Sequence, residues 1–125
     1  MRWLVDASNV IGSRPDGWWR DREGAARRLI AQLSDFAEAR GDRVTVVLDP
    51  GPAELAGRSG GVEVVVARRR GRNAADDEIV RLLAEEGDPA DVRVATSDAE
   101  LAARVRGLGA GVEGAKAFRE RLERS

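Results

Sequence analysis

The stretch VTVVLDPGP, residues 44–52, indicates the fold class of the chain. Its first five residues are apolar apart from one threonine and mostly β-branched, which is the pattern of a strand buried on both faces of a sheet. The strand should end at Asp49, because the Pro50-Gly51-Pro52 run that follows favours a turn. A strand buried on both faces indicates a parallel sheet that helices cover on two sides.

Strand and helix patterns alternate on either side of this stretch. Apolar residues at helical spacing predict a long helix over residues 22–40, which Gly41 ends. The other strand patterns lie at residues 3–5, 62–67 and 92–95 and at Val112. The other helix patterns lie at residues 74–86, 98–108 and 115–124, and residues 53–61 predict a loop or a short helix. This order predicts one α/β domain over residues 1–125, with a three-layer αβα architecture and a central, mostly parallel sheet of four to five strands.

The composition restricts the chemistry that the chain can perform. Among its 125 residues there is no histidine, no cysteine and no tyrosine, and the only lysine is Lys116. Ser-His-Asp and Cys-His catalysis and zinc sites built from thiolates or imidazoles are therefore excluded. A reaction must rely on carboxylates, arginines, hydroxyls, amides and a recruited ion, which favours oxygen-ligated Mg²⁺ or Mn²⁺.

The apolar pattern and the net charge give expectations about location and partners. No apolar run approaches the roughly 20 residues that span a bilayer, and the N-terminus lacks the pattern of an export signal. We therefore expect a cytoplasmic protein with no membrane partner. The formal net charge is −1, so no overall positive field attracts nucleic acid.

Aspartates follow three of the predicted strands, at Asp6, Asp49 and Asp98. The carboxyl ends of parallel strands share one edge of a sheet, where α/β proteins bind ligands. Asp76 and Asp77 begin the helix after the third strand and should face the same edge. Crowded carboxylates repel one another, and a divalent cation relieves the repulsion. Asp6, Asp76 and Asp98 together therefore predict a Mg²⁺ or Mn²⁺ site, where an activated water would attack a phosphodiester. Asp49 precedes a proline and fits a turn equally well.

Each of these aspartates also has a purely structural interpretation. Aspartate is common at helix N-termini, where it caps the helix or offsets its dipole. Asn73 and Asp76 have the spacing of a capping box, and Ser97 and Glu100 form its S-x-x-E pattern. Asp6 is the hardest to explain in this way, because glycines and a proline follow it and no helix start is evident.

Four short stretches carry a resemblance to a known family. They read DASNVIG at 6–12, VVLD at 46–49, ADDEI at 75–79 and ATSD at 95–98. In this order they resemble the NYN family of PIN-like ribonucleases, particularly its bacterial YacP-like branch, and the likeness covers nearly the whole chain. The resemblance implies a PIN-like fold and Mg²⁺- or Mn²⁺-dependent endoribonuclease activity on single-stranded or structured RNA.

The resemblance also implies roles for particular residues. Asp6, Asp76 and Asp98 would be catalytic and would bind the metal, and Asn9 would support the site or contact the substrate. Asp77 would be a further candidate ligand, since relatives often carry another acid at this position. The segment 14–22 departs from the family pattern, because it is richer in arginine and tryptophan.

Two groups of residues are candidates for contact with RNA. Arg68, Arg69, Arg70 and Arg72 lie between the third strand and the acidic helix start, and guanidinium groups match phosphate oxygens. They would hold an RNA backbone, or else form a solvated loop that neutralises nearby acids. Trp18, which Trp19 follows, could stack an unpaired base, although one member of such a pair more often belongs to the core.

Several functions remain open at this point. The leading one is a metal-dependent endoribonuclease, and the alternative is a non-catalytic RNA-binding or partner-binding module of the same fold. A phosphotransfer receiver domain would need a lysine at the end of a late strand, whereas Lys116 lies in the last predicted helix. A D-x-S-x-S adhesion-type metal site would need a second serine where Val10 stands. The sequence also leaves open whether the substrate is RNA or DNA, whether one or two metal ions bind, and whether the chain is a monomer or a homodimer.

Overall fold

The computed structural model describes residues 1–67 and 73–124, in which six strands form one sheet with helices on both faces. The strands are β1 (Arg2–Asp6), β2 (Arg43–Leu48), β3 (Gly57–Ser59), β4 (Val62–Val66), β5 (Val92–Ala95) and β6 (Gly111–Glu113). The helices are α1 (Ala7–Ile11), α2 (Arg22–Arg40), α3 (Ala74–Ala84), α4 (Ala99–Gly107) and α5 (Ala115–Arg124). Short 3₁₀ turns lie at Trp18–Arg20, Ala53–Leu55 and Pro89–Asp91.

The strand order β3-β4-β2-β1-β5-β6 places β1 near the middle of the sheet. β1 runs parallel to both of its neighbours, and Val5 lies opposite Val46 of β2 and Ala95 of β5. The carboxyl ends of these three strands therefore meet at one edge of the sheet. The α/β class and the mostly parallel sheet expected from the sequence are confirmed.

An apolar core fills each side of the sheet. Successive residues of β1 alternate between the two cores, as the two-residue period of a strand requires: Trp3 packs on one side and Leu4 on the other. Helices α1, α2 and α5 cover the first side, and α3 and α4 cover the second. The first core is centred on aromatic rings, with the Trp3 centroid 5.0 Å from Phe118 and 5.8 Å from Phe36.

Helix α2 shows how the local sequence determines where a helix begins and ends. Its N-cap residue Asp21 accepts a hydrogen bond from the Gly24 amide at 2.9 Å, which satisfies one of the free donors of the first turn. Gly41 ends the helix in the left-handed region at φ 69°, which glycine adopts without a steric penalty. The bounds expected for this helix are confirmed.

Two local expectations were wrong. The sheet has six strands rather than four to five, because residues 57–59 add an exposed antiparallel strand to β4. This Gly-Arg-Ser segment buries no side chain and so leaves no apolar pattern. Asp6 does precede a helix, since α1 begins at Ala7. That helix has only five residues, and its two buried side chains, Ala7 and Val10, are too few to establish a period.

No helix within residues 1–67 and 73–124 combines the length and the apolar character needed to cross a membrane.

Candidate functional site

Asp6 is the fixed centre of the acidic edge. It ends β1 and is only 2 % exposed. Its Oδ2 accepts hydrogen bonds from Asn9 Nδ2 at 2.6 Å and from Thr96 Oγ1 at 3.0 Å. Both side-chain donors use the same oxygen, so neither of them occupies Oδ1. Burial raises the pKa of Asp6. Hydrogen bonds from Thr96 and from the side chain and backbone of Asn9 counteract that rise, and the negative charge of Asp98 adds to it.

Asp98 lies at the end of the neighbouring strand and caps α4. Its Oδ1 accepts a hydrogen bond from the Leu101 amide at 2.9 Å, so the cap uses one of its two carboxylate oxygens. The Asp98 amide donates to Thr96 Oγ1 at 3.1 Å. The same buried hydroxyl therefore accepts from Asp98 and donates to Asp6, which fixes the two residues relative to each other.

The S-x-x-E capping box expected at this helix is not formed. Such a box needs Ser97 as the N-cap, whereas α4 begins one residue later, after Asp98. The Ser97 hydroxyl instead accepts a hydrogen bond from the Ala115 amide at 2.9 Å, at the start of α5. Ser97 thus joins the acidic edge to the last helix.

Asp76 lies in the first turn of α3 and is 8 % exposed. Within the described part of the chain we find no hydrogen bond to its carboxylate, and the expected capping box is absent because Asn73 makes no side-chain cap. Burial, followed by the negative charges of Asp98 and Asp6, raises the pKa of Asp76 to about 6. A buried carboxylate without donors is costly to ionise unless a cation accompanies it.

The three carboxylates Asp6, Asp76 and Asp98 fit a divalent cation by chemistry. They supply the oxygen donors that Mg²⁺ and Mn²⁺ prefer, and the charges of Asp98 and Asp6 add to the rise that burial causes in the pKa of Asp76. None of the three forms an ion pair within residues 1–67 and 73–124. Over the same residues, no group of three or more acids lies close enough together to make a preassembled metal cage. The edge is therefore an electrostatically coupled acidic cluster rather than a closed coordination sphere.

The other acids predicted from the sequence lie differently. Asp77 is exposed, and its Oδ1 is 3.2 Å from the Arg104 guanidinium, so it takes part in a surface ion pair. Asp49 is half-buried, and its backbone carbonyl accepts a hydrogen bond from the Ser8 hydroxyl at 2.6 Å. The predicted phosphate-binding residues Arg68, Arg69, Arg70 and Arg72 lie outside the described residues.

Asn9 and Thr96 are the polar residues that organise the acids. While Asn9 Nδ2 donates to Asp6, its Oδ1 accepts from the Ser97 amide at 3.3 Å, so Asn9 connects α1 to the loop before α4. The sequence motif indicates Asn9 but assigns no role to Thr96. The sequence feature that points to Thr96 is its place as a hydroxyl residue between a buried strand and an aspartate.

A cleft of about 580 Å³ opens beside this edge, between α1, the start of α2 and the loop 49–52. Trp18 is half-buried and lines the cleft, and the Arg22 guanidinium lies 5.5 Å from its ring centroid. Trp19 is 47 % exposed and meets the Trp18 ring edge-on, at 5.7 Å between centroids. Neither of these two tryptophans belongs to the buried core.

Comparison with known proteins agrees with this architecture. The model of a family described as the YacP-like NYN domain matches residues 3–125. The crystal structure of Rae1 (YacP) from Bacillus subtilis is similar, with 29% sequence identity and a TM-score of 0.78 over 99% of this chain and 76% of that chain. The structure of a tryptophan-to-leucine variant of Rae1 matches with 28% identity and a TM-score of 0.76, over 99% and 77% of the two chains. No curated protein matches this chain in sequence.

Proposed function

This chain belongs to the YacP-like NYN domain family, a ribonuclease-type domain, and from that premise we propose that it is a metal-dependent endoribonuclease. Its substrate would be RNA and its cofactor Mg²⁺ or Mn²⁺. The observation that carries the proposal is the Asp76 carboxylate, which is buried, receives no hydrogen bond from residues 1–67 or 73–124, and has its pKa raised to about 6 by burial and by Asp98 and Asp6. Such a group is a candidate functional residue, because an ordinary structural carboxylate finds a partner.

The residues of the acidic edge would have different roles. Asp6, Asp76 and Asp98 would hold the ion. When bound, Mg²⁺ or Mn²⁺ supplies a water of lowered pKa and offsets the charge that develops on the leaving oxygen. Asn9 and Thr96 hold the Asp6 carboxylate in one orientation by their hydrogen bonds to Oδ2. An imidazole base plays no part, since the chain contains no histidine.

Substrate contacts extend the proposal beyond the acids. Arg68, Arg69, Arg70 and Arg72 precede α3 in the sequence, and we assign them to the RNA phosphates because a guanidinium binds phosphate in a bidentate manner.

We also propose that residues 1–125 act as one domain. The first core alone draws on side chains from Trp3 to Leu122, so neither end of the chain can be removed without opening it.

Single-turnover cleavage of a labelled RNA tests the proposal. Purified protein should cut single-stranded or structured RNA with Mg²⁺ or Mn²⁺ and should stop when EDTA is added. Asp6→Asn, Asp76→Asn and Asp98→Asn should each lower the cleavage rate by about 100-fold or more, since even outer-shell changes at metal sites cost about 10–100-fold. Asp35→Asn, an exposed position of α2, is the matched control and should leave the rate unchanged.

Three results would contradict the proposal. If no RNA is cut with either ion, or if cutting survives EDTA, metal-dependent cleavage is wrong. If the wild type binds RNA without cutting it and Asp98→Asn binds equally well, the chain is a non-catalytic RNA-binding module that keeps the fold. A DNA strand of the same sequence, included as a parallel substrate, shows whether the 2′-hydroxyl is required.

A further inference from the structure

The cleft beside the acidic edge has no role in the function proposed so far. Ala7 and Ser8 of α1 form part of its wall, and they follow Asp6 directly, so the cleft and the acidic cluster share the junction between β1 and α1. Leu48 at the end of β2 and Ala26 of α2 line other parts of it. Its volume of about 580 Å³ is typical of pockets that enclose small organic molecules or single groups of a larger ligand.

The lining of the cleft suits a flat ring. Most of the residues that form it are apolar, and Trp18 is the aromatic residue among them. Arg22 also lines the cleft, with its guanidinium near the Trp18 ring. Tryptophan rings and arginine planes are the surfaces on which proteins stack unpaired nucleobases.

The charges of the cleft argue against a phosphate at the same place. Arg22 provides one positive charge, whereas Glu23 and Asp49 provide two negative charges. Glu23 also forms an exposed ion pair with Arg27, whose Nε lies 3.7 Å from Glu23 Oε2. The lining residues that the structure describes therefore offer an anion no net positive charge, whereas a neutral ring needs none. A carboxylate accepts hydrogen bonds but donates none, so Glu23 suits a ring whose edge carries N–H donors.

We propose that this cleft binds one unstacked nucleobase of the RNA substrate against Trp18, and that Glu23 makes guanine the preferred base. Guanine presents two neighbouring N–H donors on its Watson–Crick edge, which match the two oxygens of one carboxylate. The choice of RNA as the ligand rests on the proposed function. Binding of a base in the cleft requires neither a metal ion nor cleavage.

Tryptophan fluorescence tests this inference in the full chain, in buffer with EDTA. A Trp19→Phe background removes the exposed ring next to Trp18, and the third tryptophan, Trp3, is only 1 % exposed and so is shielded from added ligands. The ligands are the four nucleoside 5′-monophosphates, with ribose 5-phosphate as the probe for phosphate alone. GMP should quench the fluorescence at the lowest concentration, and ribose 5-phosphate should not quench it. Glu23→Gln should remove the preference for GMP over AMP.

RNA binding gives a second measurement with a matched pair of variants. Trp18→Ala should weaken binding of a guanine-containing single strand about 10-fold, because one stacked base is lost. Trp18→Phe should restore most of the affinity, since a phenyl ring still stacks. Trp19→Ala removes the adjacent ring that does not line the cleft, and its affinity should stay within about 2-fold of the wild type.

Three outcomes would overturn the inference: no quenching by any nucleotide, equal quenching by ribose 5-phosphate, or equal loss of affinity in Trp18→Ala and Trp19→Ala. Equal quenching by all four nucleotides would overturn the role of Glu23. Failure of the proposed catalysis is distinguishable from all of these. A chain that binds GMP in the cleft but never cleaves RNA contradicts the nuclease proposal and leaves the base site standing.

Discussion

Replacement of Asp76 by asparagine should make the metal-free protein more stable at neutral pH. Asparagine has nearly the same shape as aspartate but carries no charge, so it removes the cost of ionising a buried carboxylate next to Asp98 and Asp6. The pKa of Asp76 is about 6 in the folded protein against 3.8 for an unperturbed aspartate. At 1.36 kcal/mol per pKa unit, this difference corresponds to about 3 kcal/mol of lost stability in the wild type above pH 6.

Part of this gain is offset by the position of Asp76 in the first turn of α3. A negative charge there interacts favourably with the helix dipole, by about 0.3–1 kcal/mol, and asparagine gives up that interaction. Relaxation of the surrounding structure and water near the carboxylate further reduce the free-energy cost of ionising Asp76. We therefore expect Asp76→Asn to raise the free energy of unfolding by about 1–2 kcal/mol at pH 7.5.

The pH dependence has a definite sign. Between about pH 4 and pH 6 the folded protein keeps a proton on Asp76 that the unfolded chain has lost, so the free energy of unfolding falls as the pH rises. In the variant this contribution is absent. Asp6, whose pKa is also raised, contributes in the same direction, so the pH dependence should become smaller rather than disappear.

Urea unfolding in EDTA, followed by circular dichroism at pH 4.5 and pH 7.5, measures both effects. Asp35→Asn is the control for loss of an exposed carboxylate. The reasoning is refuted if Asp76→Asn is less stable than the wild type at pH 7.5, or if the two proteins lose the same free energy between the two pH values.

Four further predictions concern the site and its support. Mn²⁺ should raise the melting temperature of the wild type but not that of Asp76→Asn, as a thermal shift assay would show; equal shifts would place the ion elsewhere. Thr96→Val should lower kcat for RNA cleavage about 10–100-fold with little change in KM, because Asp6 loses a donor, and Thr96→Ser should restore the rate; a change in KM alone would contradict this role. Asp77→Asn should keep cleavage within about 3-fold and cost at most about 1 kcal/mol, since only an exposed pair with Arg104 is lost; a large loss in the single-turnover assay would make Asp77 a metal ligand. Phe118→Ala should cost about 3–5 kcal/mol in urea unfolding, because it empties the aromatic core; a cost below 1 kcal/mol would contradict the packing.

The sequence predicted the parts of the fold that long apolar patterns specify. The buried run of β2 and the nineteen residues of α2 each contain enough apolar positions to establish a period. The membership of the NYN family, inferred from four short motifs, is confirmed by the match over residues 3–125. What the sequence could not predict is structure held by pairing alone: β3 has three exposed residues and exists because β4 offers it an open edge.

The polar contacts of the site were harder to predict than its acids. Thr96 is only 1 % exposed. Its hydroxyl donates a hydrogen bond to Asp6, which is far away in the chain, and accepts one from the backbone amide of Asp98. Such contacts depend on the register of β1 against β5, which is fixed only when the whole sheet forms. A motif can therefore indicate which aspartates matter before it can indicate what orients them.

The structural and functional interpretations of an aspartate are not exclusive, and Asp98 shows why. A helix cap needs one carboxylate oxygen, and in Asp98 the Leu101 amide binds Oδ1 only. The cap fixes the orientation of the side chain without occupying Oδ2, much as the two donors to Asp6 share its Oδ2. Capping at this position is therefore compatible with a site, because it orients the carboxylate and uses only Oδ1. Asp76 receives no such hydrogen bond from the described part of the chain, so its charge is the least compensated of the three.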